Sequence, residues 1–323
     1  RRSRGLGDVY KRQDPAPQPT TVDRVDYAND TSIATKGPLS LGKYYHAGIS
    51  AQENGLATLP IPATRTESGV TPVPNFGYVI GGSWPIVSTV DRIDYANDTP
   101  TAAVKGSLEI TRSAHQSTSN PTHAYAASGY PSRTSVSRIE FSNDTATAVA
   151  KGPLTAHHNY FGATGNTSFG YYAGSAPSVI STVDRIDYSS DTSTAVVKGP
   201  LSFAKGNAQG CGNMSFGYWA GGNGSSPAKV SSVDRVDYSN DTATASPKGP
   251  LENSRSTMAA SGTSDFGYSS GGYPYYTKTS RIDYANDTAT AVAKAPYPSI
   301  VTPYGFSNAC LLYTSPSPRD LLK

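Results

Sequence analysis

The residues of this 323-residue chain that could do chemistry are ionic and periodic. Arginine recurs at Arg24, Arg92, Arg138, Arg185, Arg235 and Arg281, and each is followed two residues on by an acid: Asp26, Asp94, Glu140, Asp187, Asp237 and Asp283. A guanidinium beside a carboxylate makes charge-assisted hydrogen bonds. An acid at every copy therefore favours internal neutralisation over a ring of anion-binding arginines. A second acid precedes each arginine, except where Ser137 and Ser280 replace it. Asn-Asp-Thr recurs at Asn29, Asn97, Asn143, Asn240 and Asn286. That triplet is a glycosylation sequon and also turn chemistry, and its fixed place after each Arg-acid segment favours the turn.

Other chemistries fail on inventory. The five histidines, His46, His115, His123, His157 and His158, show no ligand spacing beyond the adjacent pair, whose side chains point to opposite faces on a strand. Calcium loops need Asp-x-Asp-x-Asp closed by Glu, which is absent. There is no Gly-x-Ser-x-Gly, no Walker loop and no His-Glu-x-x-His, so no enzyme class is indicated and neither a metal nor a cofactor is implied.

These residues must be positioned by a repeat. The arginines are 68, 46, 47, 50 and 46 residues apart, which gives a unit of 46–50 residues with one insertion at about 51–74. Within a unit, Asn166–Gly174, Ser181–Tyr188, Thr192–Val197 and the stretch after Lys198-Gly-Pro-Leu201 read as short strands separated by Gly, Pro and Asn-Asp clusters. Four strands per unit cannot bury both faces alone, so units must pack on one another. The expected fold is all-β, a β-propeller of four-stranded blades. Alternation puts Arg92 and Asp94 on one sheet face, so the Arg-acid sets are expected between blades.

Phe76–Gly82, Phe216–Gly222 and Phe266–Gly272, with a Tyr-bearing third strand and a Pro-Leu exit, resemble the kelch repeat. Two features depart from it: small residues such as Ala195 replace the fourth-strand Trp, and Asp-Tyr reverses the usual Tyr-Asp order. The wording of the repeats also resembles kelch-like arrays in tail-fibre or adhesin-type proteins of marine bacteriophages. That resemblance implies a virion or extracellular location and a binding role. Kelch-like copper radical oxidases need a Tyr-Cys pair and two His ligands, and Cys211 has no such setting.

The six phrases predict six blades, with seven as the alternative; the two chain ends would join in a sixth blade lacking its second strand. Residues 1–13 and 310–323 do not resemble the repeats, and one sequencing-adapter string, read forward and as its reverse complement, accounts for both as translated ends flanking a propeller over 14–309. They hold the positive balance of the +3 chain, five basic residues against one acid and two against one, so the remainder is net acidic. A nucleic-acid partner is not indicated, and no apolar run is long enough for membrane insertion.

Ligands on a repeat scaffold belong in its variable loops. The loops between second and third strands carry Trp84, Tyr130, Tyr273, Tyr275 and Tyr276, with Trp219 just before one of them. Aromatic rings among Gly, Ser and Asn suit a sugar face or a protein surface. The sequence thus implies a non-enzymatic binding module for a glycan or a cell-surface protein. Its alternatives are a structural scaffold for protein interactions, including other virion subunits, and a propeller-fold hydrolase or oxidase.

Overall fold

The computed structural model describes residues 20–26, 33–50, 76–83, 85–225, 229–274, 276–296, 304–307 and 311–315; the expected insertion lies outside them. The chain is an all-β propeller of four-stranded blades, the architecture that kelch-like repeats build. Blade 1 runs Ala47–Ser50, Phe76–Ile80, Val90–Asp94 and Ala103–Val104. Blade 2 runs Gln116–Ser119, His123–Ala127, Val136–Glu140 and Val149–Lys151, and blade 3 Gly162–Gly165, Phe169–Ala173, Val183–Asp187 and Val196–Lys198. Blade 4 is Gln209–Gly212, Phe216–Ala220, Val233–Asp237 and Ser246–Lys248; blade 5 is Ala259–Gly262, Phe266–Ser270, Lys278–Asp283 and Val292–Pro296.

The expectation of six blades, or seven, is corrected by this strand order: five blades are found, each of four strands consecutive in the chain. Six phrases mark six third strands, but the first, at Arg24, has no Phe-Gly-Tyr strand before it. The strands left over come from the two ends and form a composite sheet in the order Ile33–Lys36, Val22–Asp26, Leu311–Ser315, Tyr304–Ser307. Its second position is filled by Leu311–Ser315, antiparallel to Val22–Asp26, so it is not the three-stranded remnant expected. An open strand edge leaves backbone donors and acceptors unpaired, and an extended segment that reaches them removes that cost. Tyr304–Ser307 lies between the first strands of blades 5 and 1, which closes the ring.

Both faces of each blade are covered, and the second strands show it: after the leading Phe or His, four successive residues are buried in every blade. Three contacts recur between neighbours. A second-strand tyrosine stacks on the aromatic ring that opens the next blade's turn, with centroids 4.5 Å apart for Tyr125 and Tyr188 and 4.7 Å for Tyr171 and Tyr238 and for Tyr218 and Tyr284. The glycine of each Lys-Gly-Pro-Leu exit donates its N–H to the aspartate carbonyl of the next turn, as Gly152 does to Asp191 at 2.8 Å. A Cβ on Gly152 would lie 1.9 Å from the Ser193 carbonyl oxygen, so only glycine permits this approach.

The third contact is ionic, and it changes the expected pairing. Arg92 and Tyr78, opposite each other across two strands, both reach Asp144 of blade 2, at 2.8 and 3.0 Å, and Lys105 completes the set at 3.2 Å. Arg138, Tyr125 and Lys151 converge on Asp191 in the same way. Arg185, Tyr171 and Lys198 do so on Asp241, and Arg235, Tyr218 and Lys248 on Asp287. Arg24 of the end sheet reaches Asp98 of blade 1. The arginines therefore bridge blades, but through the Asp of the Asn-Asp-Thr turn. The acids two residues after each arginine stay within their own turns. Asp94, Asp187, Asp237 and Asp283 each accept a backbone N–H two residues on at 2.9 Å, and Glu140 accepts the Ser142 hydroxyl at 2.7 Å. A short acid can close such a turn on itself, which a strand-alternation argument overlooks. The side chain of Asp26 lies outside the described residues. Arg281 lies over the Phe266 ring, 4.3 Å from its centroid, as Arg92, Arg185 and Arg235 lie over theirs.

Candidate functional site

The segment entering each first strand builds one mouth of the ring. It carries a residue in the left-handed region in every blade: Tyr45, Ala114, Tyr160, Asn207 and Thr257, with φ of 49, 52, 47, 53 and 53°. Each hands on a backbone hydrogen bond. Ala114 N–H donates to the Tyr45 carbonyl at 2.7 Å, Tyr160 to Ala114 at 3.0 Å, Asn207 to Tyr160 at 2.6 Å and Thr257 to Asn207 at 3.1 Å. This series of four bonds fixes five side chains around the axis, and they are of unlike chemistry. The Tyr45 and Tyr160 rings come from non-neighbouring blades and meet edge to face, 5.2 Å apart, across the position held in blade 2 by the small Ala114.

Two residues before each left-handed position stands a fully buried cationic or imidazole side chain: Lys43, Arg112, His158, Lys205 and Arg255. Each meets the residue that precedes the recurrent arginine on its own blade's third strand. Lys43 pairs with Asp91 at 2.8 Å, His158 with Asp184 at 3.2 Å and Lys205 with Asp234 at 3.0 Å. In these blades Ser40, Thr155 and Ser202 donate a hydroxyl to the same carboxylate. In blades 2 and 5 the strand residue is Ser137 or Ser280, which accepts from Arg112 or Arg255 and donates to Glu109 or Glu252 at 2.7 and 2.6 Å. The carboxylate has moved from strand to loop, and the lysine or histidine has become an arginine.

Burial lowers Lys43 and Lys205 against the pull of Asp91 and Asp234. Burial alone would raise Asp184, but hydrogen bonds from His158 and Thr155 outweigh it and hold the carboxyl below its usual range. The Lys43–Asp91, His158–Asp184 and Lys205–Asp234 pairs are frame, with both members of each fully buried.

The loops leaving the second strands pair with the same segments, Tyr44 with Ser83, Ser113 with Tyr130, Gly206 with Asn223 and Ser256 with Tyr273. They therefore share the mouth with the left-handed residues. Of the aromatic candidates, Tyr130 and Tyr273 are 52% and 42% exposed here, and Lys229 lies over the Tyr273 ring at 4.2 Å. Tyr276 is half-buried, stacked under Arg255 at 4.0 Å and donating its hydroxyl to Glu252. Trp84 and Tyr275 lie outside the described residues. Trp219 is corrected: it is 0% exposed, and its indole N–H donates to the Gly162 carbonyl of blade 3 at 3.1 Å. The strand before the loop is covered on both faces, so an aromatic there packs between blades. The lysines before each exit, Lys105, Lys151, Lys198 and Lys248, are held by turn aspartates and form no free cationic rim.

Sequence reasoning passed over a groove of about 410 Å³ between blades 3 and 4, lined by Tyr160, Ala176, Pro177, Val179, Asn207, Asn223, Gly224 and Ser225. Its signal was present in the variation of the mouth position, Tyr, Ala, Tyr, Asn and Thr, but only the series of backbone bonds shows that these residues share a place. Cys211 is buried, and burial pushes its thiol up to about 11, which removes it as a nucleophile. Among the described residues no group of three or more His, Cys, Asp or Glu is placed to hold a metal ion, and no helix is long and apolar enough to cross a membrane. No protein-family model matches the chain, and no curated protein matches it.

Proposed function

We propose that the chain is a non-enzymatic recognition module that binds glycans on a cell surface through the mouth of the ring, as part of a virion-borne or other extracellular protein. The observation that carries this is the exposure of Tyr130 and Tyr273, at the same loop position in blades 2 and 5. Each offers a large ring and a hydroxyl to solvent, the combination that covers a sugar face while bonding its edge. The virion context is supported by the wording of the repeats. A glycan array with purified protein, repeated with the double variant Tyr130→Ala and Tyr273→Ala, tests the proposal. Selective retention on glycans that falls in the variant is expected; equal signal for both, or none above a control protein, refutes it.

A second role, as a protein-interaction scaffold, is favoured by one observation: a propeller frame this uniform holds loops of differing chemistry on a single rigid support. Loss of Tyr130 and Tyr273 exposure in a homo-oligomer, read by analytical ultracentrifugation and hydrogen exchange, would select it.

A further inference from the structure

The groove between blades 3 and 4 differs from the other inter-blade positions of the mouth. Asparagine occupies both the left-handed position and the loop position that follows Gly-Gly, as Asn207 and Asn223. The pairs at these places elsewhere are Tyr45 with Ser83, Ala114 with Tyr130, Tyr160 with Ala176, and Thr257 with Tyr273. The backbones of Asn207 and Asn223 are committed. Asn207 N–H bonds the Tyr160 carbonyl at 2.6 Å, and Asn223 exchanges two bonds with Gly206, at 2.7 and 3.0 Å. Their side-chain amides, both partly exposed, make no hydrogen bond among the described residues. Two anchored donor-acceptor groups are thus held ready beside an apolar wall of Ala176, Pro177 and Val179 and the Tyr160 ring.

The lining contains no acid and no base. Lys229, the nearest cation in sequence after this loop, is turned to the Tyr273 ring of blade 5. Lys205, just before the mouth, is enclosed with Asp234. An anionic sugar would lose hydration on entry with no charge to replace it, whereas an uncharged pyranose presents one C–H face and paired hydroxyls. Amides satisfy vicinal hydroxyls as donor and acceptor together. A volume of about 410 Å³ lies within the usual range for small-ligand sites and suits one or two sugar rings.

We infer that the groove between blades 3 and 4 is a binding site for an uncharged mono- or disaccharide unit, with Asn207 and Asn223 bonding its hydroxyls and Tyr160, Pro177 and Val179 covering its apolar face. This rests on the glycan reading above and names where one sugar is held and what charge it lacks. In the other four blades the corresponding side chains are not a pair of amides, so a single such site is expected among the described residues.

The test is saturation-transfer NMR and calorimetry with methyl glucoside, methyl galactoside and methyl N-acetylglucosaminide, against methyl glucuronide and methyl sialoside. Asn223→Ala and Asn207→Gly remove the amides, and glycine keeps the left-handed backbone; an unchanged melting temperature verifies the fold. The expected result is binding of at least one neutral glycoside with a stoichiometry of one, weakened about ten-fold by either variant, the worth of one lost hydrogen bond. Tighter binding of the anionic sugars, or neutral binding that survives both variants but falls with Tyr130→Ala or Tyr273→Ala, overturns this site and leaves the glycan reading standing. No binding of any glycoside, together with a blank glycan array, overturns both.

Discussion

Replacing Asp234 by serine in blade 4 would leave Lys205, fully buried, without the carboxylate 3.0 Å away. Its remaining partners are the Trp219 carbonyl at 3.0 Å and the Phe203 ring, 5.2 Å from the ammonium to the centroid. Breaking a buried ion pair by removing one member costs about 3–5 kcal/mol, because the other charge stays out of water. Lys205 is already lowered by burial, and giving up its proton instead, from about 10.4 in the unfolded chain, costs about 4.6 kcal/mol at pH 7, which caps the loss near the upper figure. Blades 2 and 5 carry serine at this strand position without such a defect, because Glu109 and Glu252 bring the carboxylate from the loop and Arg112 and Arg255 span to it. The triple change Asp234→Ser, Ser202→Glu and Lys205→Arg writes the blade 5 arrangement into blade 4. It should recover most of the stability lost by the single change. Urea unfolding followed by tryptophan fluorescence reads this directly, since Trp219 lies in the affected blade. A single variant within 1 kcal/mol of wild type, or a triple variant no more stable than the single, would refute the idea that these three positions form one exchangeable unit.

Asp241→Asn removes the charge that Arg185, Lys198 and Tyr171 share. Thermal unfolding should show a loss of about 2–3 kcal/mol, against about 1 for Tyr171→Phe, which deletes one hydrogen bond. Trp219→Ala should cost about 3–5 kcal/mol by denaturant titration while glycan retention at equal folded fraction stays unchanged, because the ring packs between blades. His46 and His115 are held neutral, first by burial and then by neighbouring cations: Lys43 beside His46, and Arg112 and Lys43 beside His115. His46 is brought down to about 3 and His115 lies well below its usual value. Their folded pKa values lie under the unfolded value of about 6.5, so their contribution is complete above pH 6.5 and declines as pH falls below it, by about 1.4 kcal/mol per unit for each. Unfolding free energies at pH 7.5, 5.5 and 4.5 check this. His115→Phe, which copies Phe161 of blade 3, should lower the slope by that one histidine's share, about 1.4 kcal/mol per pH unit.

Much of the frame was legible because a repeat multiplies each observation. Phe-Gly-Tyr, the Arg-acid phrase and Lys-Gly-Pro-Leu mark second strands, third strands and exits, and each falls where its marker stands. Alternation along Val90–Asp94 put Arg92 at an interface but could not choose its partner. Asp94 and Asp98 are both close in sequence, and the true partner, Asp144, is 52 residues away in the next blade. Trp219 was misread for a related reason: a strand end beside a loop looks exposed in sequence, while the neighbouring blade covers it. The exchange of Asp234 and Ser202 for Ser280 and Glu252 is visible in the letters once the two positions are known to touch, and only the fold says that they do.

The same division explains where a site can arise on such a ring. Each of the four interfaces between successive blades 1 to 5 is fixed by an aromatic stack, an aspartate cluster and a glycine approach, and none of them involves the five mouth residues. Those residues are linked to one another through backbone hydrogen bonds, so the side chain there can vary among those that tolerate the left-handed region. The five blades accordingly carry tyrosine, alanine, asparagine and threonine there on one backbone course. Asn207→Gly, which keeps the left-handed backbone without strain, should leave the melting temperature within a degree or two yet abolish the paired amides. A large loss of stability from that change would mean the mouth is part of the frame, and the groove between blades 3 and 4 would lose its claim to be a site.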